Sequence, residues 1–177
     1  LQLTMCTNQV RGGKGVLVCS PELSPEAVAI RWCSQIIGKS FHLMSSTEKR
    51  DALTTIGNMK TSALVVPRQG TITVEELSGM VEFCARRYGI TMVSFDHLDF
   101  MLHDINDLRT IDNGILAFNN LCAKFAVHGV LGVHPKSINS HDGKGKGPRK
   151  IRMGDLRGSS KIKQLAHNIL VLDPPDQ

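Results

Sequence analysis

The sequence is poor in aromatic residues and has no long apolar run. Aromatic side chains make up 5% of its 177 residues, with a single Trp and a single Tyr. No apolar stretch approaches the roughly 20 residues that a membrane-spanning helix needs, and the N-terminus does not read as a signal peptide. We therefore expect a soluble protein with no membrane partner.

The five cysteines form no recognisable motif. They show neither CxxC spacing nor a pairing with histidine at the spacing of metal ligands. Most lie in apolar surroundings, so we expect buried, reduced thiols. This use of cysteine favours an intracellular compartment.

Apolar runs alternate with helical patterns along the chain. Residues 16–19, 63–66, 91–95, 130–133 and 169–172 are short apolar runs that predict strands, whereas residues 45–60 are a polar stretch. Helices are expected at the N-terminus and at 25–37, 73–88, 110–128 and 161–167. Near-continuous apolar strands separated by helices predict an α/β fold, with a mainly parallel sheet flanked by helices, in one domain spanning residues 1–177.

Local signals refine two of these helices. Ser24 is expected as the N-cap of the helix at 25–37, with Pro25 at its first position. That helix should turn four side chains inward: Ala27, Ile30, Ile36 and Ile37. Gly129 fits the residue just past the end of the helix at 110–128.

Polar residues follow three of the predicted strands, where parallel sheets bind their ligands. Glu22 follows the first, the pair Asp96 and His97 follows the central one, and His134 follows the fourth. An acidic residue directly after an apolar strand can hold Mg²⁺ beside nucleotide phosphates. Taken singly, Asp96 could instead cap a turn and His134 could be a hydrogen-bonded histidine at a strand end. As a set, the residues favour a ligand site.

Positive charge is concentrated in residues 134–163. This segment has a net charge of +7, against +5 for the whole chain, and its basic residues are Lys136, Lys144, Lys146, Arg149, Lys150, Arg152, Arg157, Lys161 and Lys163. A glycine-spaced basic loop suits a polyanion with recurring phosphates. The alternative is a solvated loop without a ligand.

Four blocks of the sequence resemble hexameric replicative helicases of the DnaB and Twinkle class. They are VLVCSPELSPEAVAIR, SFDHLDFM, GVLGVHPKS and GDLRGSSKIKQLAHNILVL, and together the resemblance covers about residues 1–172. The last block is the most specific, although Ser160 and His167 depart from the usual residues. The resemblance implies a RecA-like (P-loop NTPase) fold.

The same resemblance implies roles for the residues after the strands. Glu22 would polarise the attacking water, Asp96 would hold Mg²⁺ with His97 beside it at the nucleotide, and His134 would face the γ-phosphate of ATP. Gln164 would be a second phosphate sensor.

Single-stranded DNA would pass along loops that face the channel of a ring. The second of these loops corresponds to residues 135–157, and its lack of aromatic side chains predicts contacts to the DNA backbone rather than stacking on bases. The expected contact residues are Lys136, Lys144, Lys146, Lys150, Arg157, Gly158 and Lys163.

The phosphate-binding motif G-x-x-x-x-G-K-[ST] does not occur in the sequence, and the RGGKG turn at residues 11–15 does not match it. The resemblance would put the phosphate loop before Leu1 and an arginine finger after Gln177. We therefore expect residues 1–177 to be inactive as an ATPase by themselves, within a longer protein that is active.

Three functions remain open at this point. The intact protein would be an ATP-dependent helicase, a homo-hexamer or other ring that moves 5′ to 3′ on single-stranded DNA and meets other replication proteins. Alternatively, it is a helicase-derived scaffold that has lost the phosphate loop, or a filament-forming RecA relative, against which the GDLRGSS block argues. Twinkle-like features favour mitochondria, with cytoplasmic and phage settings left open.

Overall fold

The computed structural model describes residues 2–58, 63–65, 69–102, 104, 107–135, 151–156 and 159–172. Helices and strands alternate along this part of the chain. The α-helices are α1 (Gln2–Arg11), α2 (Pro25–Ile37), α3 (Ser46–Asn58), α4 (Val74–Tyr88), α5 (Leu108–Lys124) and α6 (Ser159–Leu165). The strands are β1 (Gly15–Cys19), β2 (Ala63–Val65), β3 (Ile90–Phe95) and β4 (His128–Leu131), and short 3-10 helices span Phe41–Leu43, Leu98–Met101 and Met153–Asp155.

The four strands form one parallel sheet in the order β2-β1-β3-β4. Leu17 of the inner strand β1 aligns with Leu64 of β2 on one side and with Val93 of β3 on the other. All five residues of β1 are buried. The predicted parallel sheet is therefore confirmed, and the buried strands at its centre have helices on both faces.

Helices α4 and α5 cover one face of the sheet. Leu77 and Val81 of α4, one helical turn apart, are fully buried against Leu17 and Phe95. Helix α4 begins at a capping box, in which the Thr73 hydroxyl accepts from the Glu76 amide and the Glu76 carboxylate accepts from the Thr73 amide. The expected helix at 73–88 thus forms with its buried stripe inward.

Helices α1 and α2 cover the opposite face. The Trp32 indole N–H donates to the Thr7 hydroxyl at 2.7 Å, and that hydroxyl donates to the Leu3 carbonyl at 2.8 Å. These buried bonds satisfy the only polar atom of the tryptophan side chain. They fix the two helices to each other.

The predicted start of α2 is confirmed, whereas its inward stripe is partly wrong. Ser24 accepts a hydrogen bond from the Ala27 amide, and Pro25 is the first helical residue. Val28 and Trp32 are almost completely buried, but Ile30 is 37% exposed. Positions 28 and 32 share a face because they are four residues apart, and the helix turns Ile30 away from it.

Gly129 does not cap a helix. Helix α5 ends at Lys124 with Phe125 as its C-cap residue, and Gly129 lies within β4. A Cβ at residue 129 would stand 2.5 Å from the Cys122 sulfur and 2.7 Å from the Phe118 ring. The position therefore needs glycine because α5 packs directly on the strand.

Two further elements differ from expectation. Residues 45–60 were predicted to be a polar stretch, but α3 occupies most of it and buries only Ala52. Residues 169–172 were predicted to be a strand, but they form none, and Leu170 and Leu172 are more than two-thirds exposed. A strand needs a neighbour for its backbone hydrogen bonds, and the described sheet gives this run none.

All five cysteines are buried and none forms a disulfide. Burial raises the pKa of the thiols, to about 11 for Cys6 and Cys122 and to about 12 for Cys19. The predicted burial of the cysteines is confirmed.

None of the helices in the described ranges combines the length and apolar character needed to cross a bilayer.

Candidate functional site at the carboxyl rim of the sheet

Backbone hydrogen bonds hold the ends of three strands together at one rim of the sheet. The Asp96 amide donates to the Cys19 carbonyl, and the Gly132 amide donates to the Phe95 carbonyl, both at 2.9 Å. The Gly132 carbonyl in turn accepts from the Leu98 amide at 2.9 Å. The segments after β1, β3 and β4 therefore meet, as expected for parallel strands.

His97 lies at the centre of this rim. It precedes the 3-10 helix Leu98–Met101 as its N-cap residue and is only 8% exposed. Its ring centroid is 3.8 Å from that of His134 and 4.9 Å from that of Phe100. The two predicted histidines, separated by 37 positions in the sequence, are thus in contact.

Two carboxylates flank the histidine pair. Glu22 Oε2 is 4.0 Å from His97 Nε2, and Asp99 Oδ2 is 3.7 Å from the Nδ1 atoms of both His97 and His134. The Glu22 side chain is 56% exposed and that of Asp99 is 17% exposed. Glu22 and His134 therefore come together through His97.

Asp99 was not singled out from the sequence. Its only signal is its place two residues after His97, in the first turn of a 3-10 helix too short to show a periodic pattern.

The histidine at the centre carries little positive charge at neutral pH. Burial lowers the pKa of His97, and the adjacent His134 lowers it further, while Asp99, Asp96 and Glu22 act in the opposite direction without reversing the shift. The contacts of His97 with the carboxylates are therefore polar contacts of a neutral imidazole rather than ion pairs. A neutral ring keeps one nitrogen lone pair for a ligand.

Asp96 lies beside the end of β4. A Cβ on Gly132 would stand 2.9 Å from Asp96 Oδ1 and 2.8 Å from Gln2 Nε2, so both side chains pack on the bare glycine backbone. Gln2 is held in place because its Oε1 accepts a hydrogen bond from the Ser94 hydroxyl at 2.9 Å. A partly exposed carboxylate in this position is an oxygen ligand suited to Mg²⁺.

A large cleft opens at this rim and runs along β4. Its volume is about 1260 Å³, and its lining includes Ser20, Asp96, His97 and His134 together with residues 128–133 and 169–172. The Ser20 hydroxyl is buried, and within the described part of the chain it has no hydrogen-bond partner. Because buried polar atoms are nearly always paired, this hydroxyl indicates a place where a ligand atom fits.

Two of the remaining predicted site residues, Lys163 and Gln164, lie in the described part of the chain. Lys163 and Gln164 are exposed on α6 and do not line the cleft, although their neighbours Ile162 and Leu165 do. Their assigned roles stay predictions. The other expected DNA contacts lie outside the described residues: Lys136, Lys144, Lys146, Lys150, Arg157 and Gly158.

Among the solved structures similar to this one are a DnaB-like replicative helicase and an ATPase domain. The first is the structure of a DnaB-like replicative helicase, described together with its interactions with primase. It aligns with a TM-score of 0.70 and 16% sequence identity, and the alignment covers 93% of this chain and 41% of the helicase chain. The ATPase domain of a second protein gives a TM-score of 0.67 at 16% identity over 92% of this chain and 60% of that one. No family model matches the sequence, and no curated protein matches it significantly.

The similarity extends over nearly all of this chain but only part of each relative. The predicted RecA-like α/β fold is confirmed, and the resemblance to DnaB-class replicative helicases holds at the level of the fold. The chain spans less than two-thirds of either solved chain.

Proposed function

We propose that this chain is the nucleotide-hydrolysing core of an ATP-dependent DNA helicase. The observation that carries the proposal is the convergence of Glu22, Asp96 and His134 at one rim of a sheet with the fold of replicative-helicase ATPase domains. ATP hydrolysis needs a carboxylate that positions water, a carboxylate that holds Mg²⁺, and a group that contacts the γ-phosphate. The rim offers one residue for each requirement.

Glu22 is suited to the water-positioning role because its side chain is both exposed and held near the cluster. Its carboxylate reaches within 4.0 Å of His97 and remains 56% exposed, so water has access to it. Asp96 supplies an oxygen ligand for Mg²⁺, and the metal would neutralise developing charge on the phosphates when bound. His134, at the end of β4, would report whether the γ-phosphate is present.

The phosphate loop is the part of the site that these residues do not supply. Strand β4 is the edge strand of the described sheet, and residues 128–133 and 169–172 both line the cleft beside it. A further strand could pair with β4 there and bring a phosphate loop to the rim. Such a strand would also give the apolar residues 169–172 the neighbour that strand pairing requires.

Substitution of Glu22 by Gln tests the assignment in the intact protein. We expect ATP turnover to fall by at least about 10²-fold, as for the loss of a general base, with nucleotide binding retained. Glu26→Gln is the matched control, since Glu26 lies four residues further on and is exposed on the first turn of α2. Near-normal hydrolysis by the Glu22 variant would exclude this carboxylate from the chemical step.

Binding of single-stranded DNA is proposed for the basic segment 134–163. Its net charge of +7 against +5 for the whole chain makes it the most positive part of the sequence. Lysines spaced by glycines favour contacts with phosphates rather than with particular bases. Affinity should therefore fall steeply with salt and depend little on DNA sequence.

A double variant, Lys144→Ala with Lys146→Ala, tests this segment. We expect the slope of log affinity against log salt concentration to decrease by about one to two units. Lys14→Ala with Lys124→Ala is the control, since these exposed lysines precede β1 and β4 and so lie at the opposite rim of the sheet. An unchanged slope in the first double variant would remove the segment from the DNA site.

The assembly and direction follow from the same proposal. The intact protein would form a homo-hexamer or similar ring, use ATP and Mg²⁺, and move 5′ to 3′ along the strand that it encloses. A primase and other replication proteins are candidate partners. A translocation assay on substrates with either a 5′ or a 3′ tail would contradict the direction if only the 3′-tailed substrate were unwound.

A second candidate function is a helicase-derived scaffold that binds nucleic acid without hydrolysing ATP. It is favoured by the lack of a G-x-x-x-x-G-K-[ST] motif in the 177 residues. The two candidates differ in one measurement on the intact protein. Retained DNA binding without measurable nucleotide affinity would support the scaffold, whereas nucleotide binding sensitive to Asp96→Asn would support the motor.

A further inference from the structure

Three side chains at the rim form a cluster. The proposed hydrolysis does not need these three to act together. They are His97, Asp99 and His134, and each can bring a ligand atom within 4.8 Å of the other two. One oxygen of Asp99 faces the Nδ1 atom of each histidine at 3.7 Å. Two imidazole nitrogens and a carboxylate oxygen therefore surround a common point.

The buried histidine supplies a second, independent observation. The side chain of His97 is 10% exposed, and its Nδ1 atom is buried without a hydrogen-bond partner in the described part of the chain. This is the nitrogen that faces Asp99. A buried nitrogen left without a partner costs free energy, and coordination of an ion would remove that cost.

We propose that His97, Asp99 and His134 bind a divalent transition-metal ion, with Zn²⁺ as the expected species. Imidazole is a preferred ligand of Zn²⁺, Co²⁺ and Ni²⁺, whereas Mg²⁺ prefers oxygen ligands. The site is distinct from the Mg²⁺ ligand Asp96, whose carboxylate packs against Gly132 and Gln2.

Two of the three distances between ligand atoms are close to those of a tetrahedral zinc centre, and the third, between the histidine nitrogens, is within 4.8 Å. Zinc binds nitrogen and oxygen at about 2.0–2.2 Å, so its ligand atoms lie roughly 3.4 Å apart. The 3.7 Å contacts to Asp99 require only a small contraction. His134 can make this movement because its side chain is 58% exposed, and the same exposure gives water access to a fourth coordination position.

The ion would join the end of β4 to the 3-10 helix that follows β3. His134 lies beyond β4, whereas Asp99 belongs to the helix Leu98–Met101. The buried thiols are poor competitors for the same ion, since burial raises their pKa and keeps them protonated. Among the described residues, metal binding should therefore depend on the histidine cluster.

Titration of the intact, chelator-treated protein with Co²⁺ and Zn²⁺ tests the proposal without nucleotide. We expect Co²⁺ to give the visible absorption of a tetrahedral site, Zn²⁺ to displace it and excess Mg²⁺ to leave it unchanged. His134→Asn and Asp99→Asn should each abolish this signal. His128→Asn is the matched control, because His128 is an exposed histidine at the other end of the same strand.

Two outcomes would overturn the proposal. The first is an unchanged Co²⁺ signal in His134→Asn, a substitution at an exposed side chain that should fold normally. The second is an X-ray absorption spectrum of the Zn²⁺-loaded protein that contains no imidazole coordination from this cluster, judged by comparison with the His134→Asn variant. Because neither measurement uses ATP, a negative result would leave the proposed hydrolysis untouched.

Discussion

Two described regions of the protein contain buried polar groups, and the hydrogen bonding of these groups differs between the regions. Between α1 and α2, the Trp32 indole and the Thr7 hydroxyl are buried and fully engaged with each other and with Leu3. At the carboxyl rim of the sheet, the Ser20 hydroxyl and the His97 Nδ1 atom are buried but have no hydrogen-bond partner among the described residues. The first pair stabilises the fold, whereas the second pair keeps the hydrogen-bonding capacity that the proposed ligand site requires.

The largest effect should come from removal of Trp32. We expect Trp32→Ala to lower the free energy of unfolding by about 3–5 kcal/mol, since it leaves a cavity and deprives the Thr7 hydroxyl of its donor. Denaturant unfolding of the intact protein, followed by a probe within this domain, measures the change. A loss below about 1 kcal/mol would contradict the view that this interior contact stabilises the fold.

A smaller effect is expected from Thr7→Val, which removes the hydroxyl and nearly preserves shape. The indole N–H would remain buried without an acceptor, at a cost of about 1–3 kcal/mol. Thr4→Val is the matched control on the same helix, because the Thr4 hydroxyl accepts from Gln35 at an exposed position. Equal destabilisation by the two variants would show that the buried hydrogen bond of Trp32 contributes no more to stability than the exposed one of Thr4.

At the rim, Gly132→Ala should weaken nucleotide binding more than it lowers the stability of the fold. The new methyl group would displace the ends of the Asp96 and Gln2 side chains, and the shift of Gln2 would weaken its hydrogen bond with Ser94, so we expect a stability loss of about 1 kcal/mol. Mg²⁺-dependent nucleotide binding should weaken more strongly. Isothermal titration of nucleotide with and without Mg²⁺ measures the effect on binding apart from the effect on stability. If the Mg²⁺ dependence of nucleotide binding were unchanged, Asp96 would not be a ligand of the metal.

The smallest change in stability is expected from Ser20→Ala. The hydroxyl has no partner to lose among the described residues, so the free energy of unfolding should stay within about 0.5 kcal/mol of the parent value. Ligand affinity is the informative measurement. A destabilisation above about 1 kcal/mol would mean that the Ser20 hydroxyl stabilises the fold through a hydrogen bond, as the Thr7 hydroxyl does.

Strongly patterned elements were predictable from the sequence, and weakly patterned ones were not. The periodic pattern of residues 73–88 predicted α4, and the apolar runs at 16–19 and 91–95 predicted β1 and β3. Helix α3 was missed because it buries only Ala52 and thus lacks an apolar stripe. Residues 169–172 were misread because an apolar run does not reveal whether a neighbouring strand is present.

The site followed the same rule. Glu22, Asp96 and His134 were predictable because parallel strands bring their carboxyl ends together. Asp99 was not, since its position depends on one turn of 3-10 helix after β3. Contact between the rings of His97 and His134 also depends on tertiary packing, which their separation in sequence does not reveal.

Among the described residues no strand pairs with the outer side of β4, and this affects how the 177 residues should be handled in the laboratory. An edge strand presents unpaired backbone groups that can add a strand from another molecule, and here the exposed side chains of Leu170 and Leu172 lie along the same cleft. Expressed in isolation, the 177 residues should therefore tend to self-associate and precipitate. Light scattering at increasing protein concentration would detect this tendency, and charged substitutions at Leu170 and Leu172 offer a direct way to keep the isolated domain monodisperse.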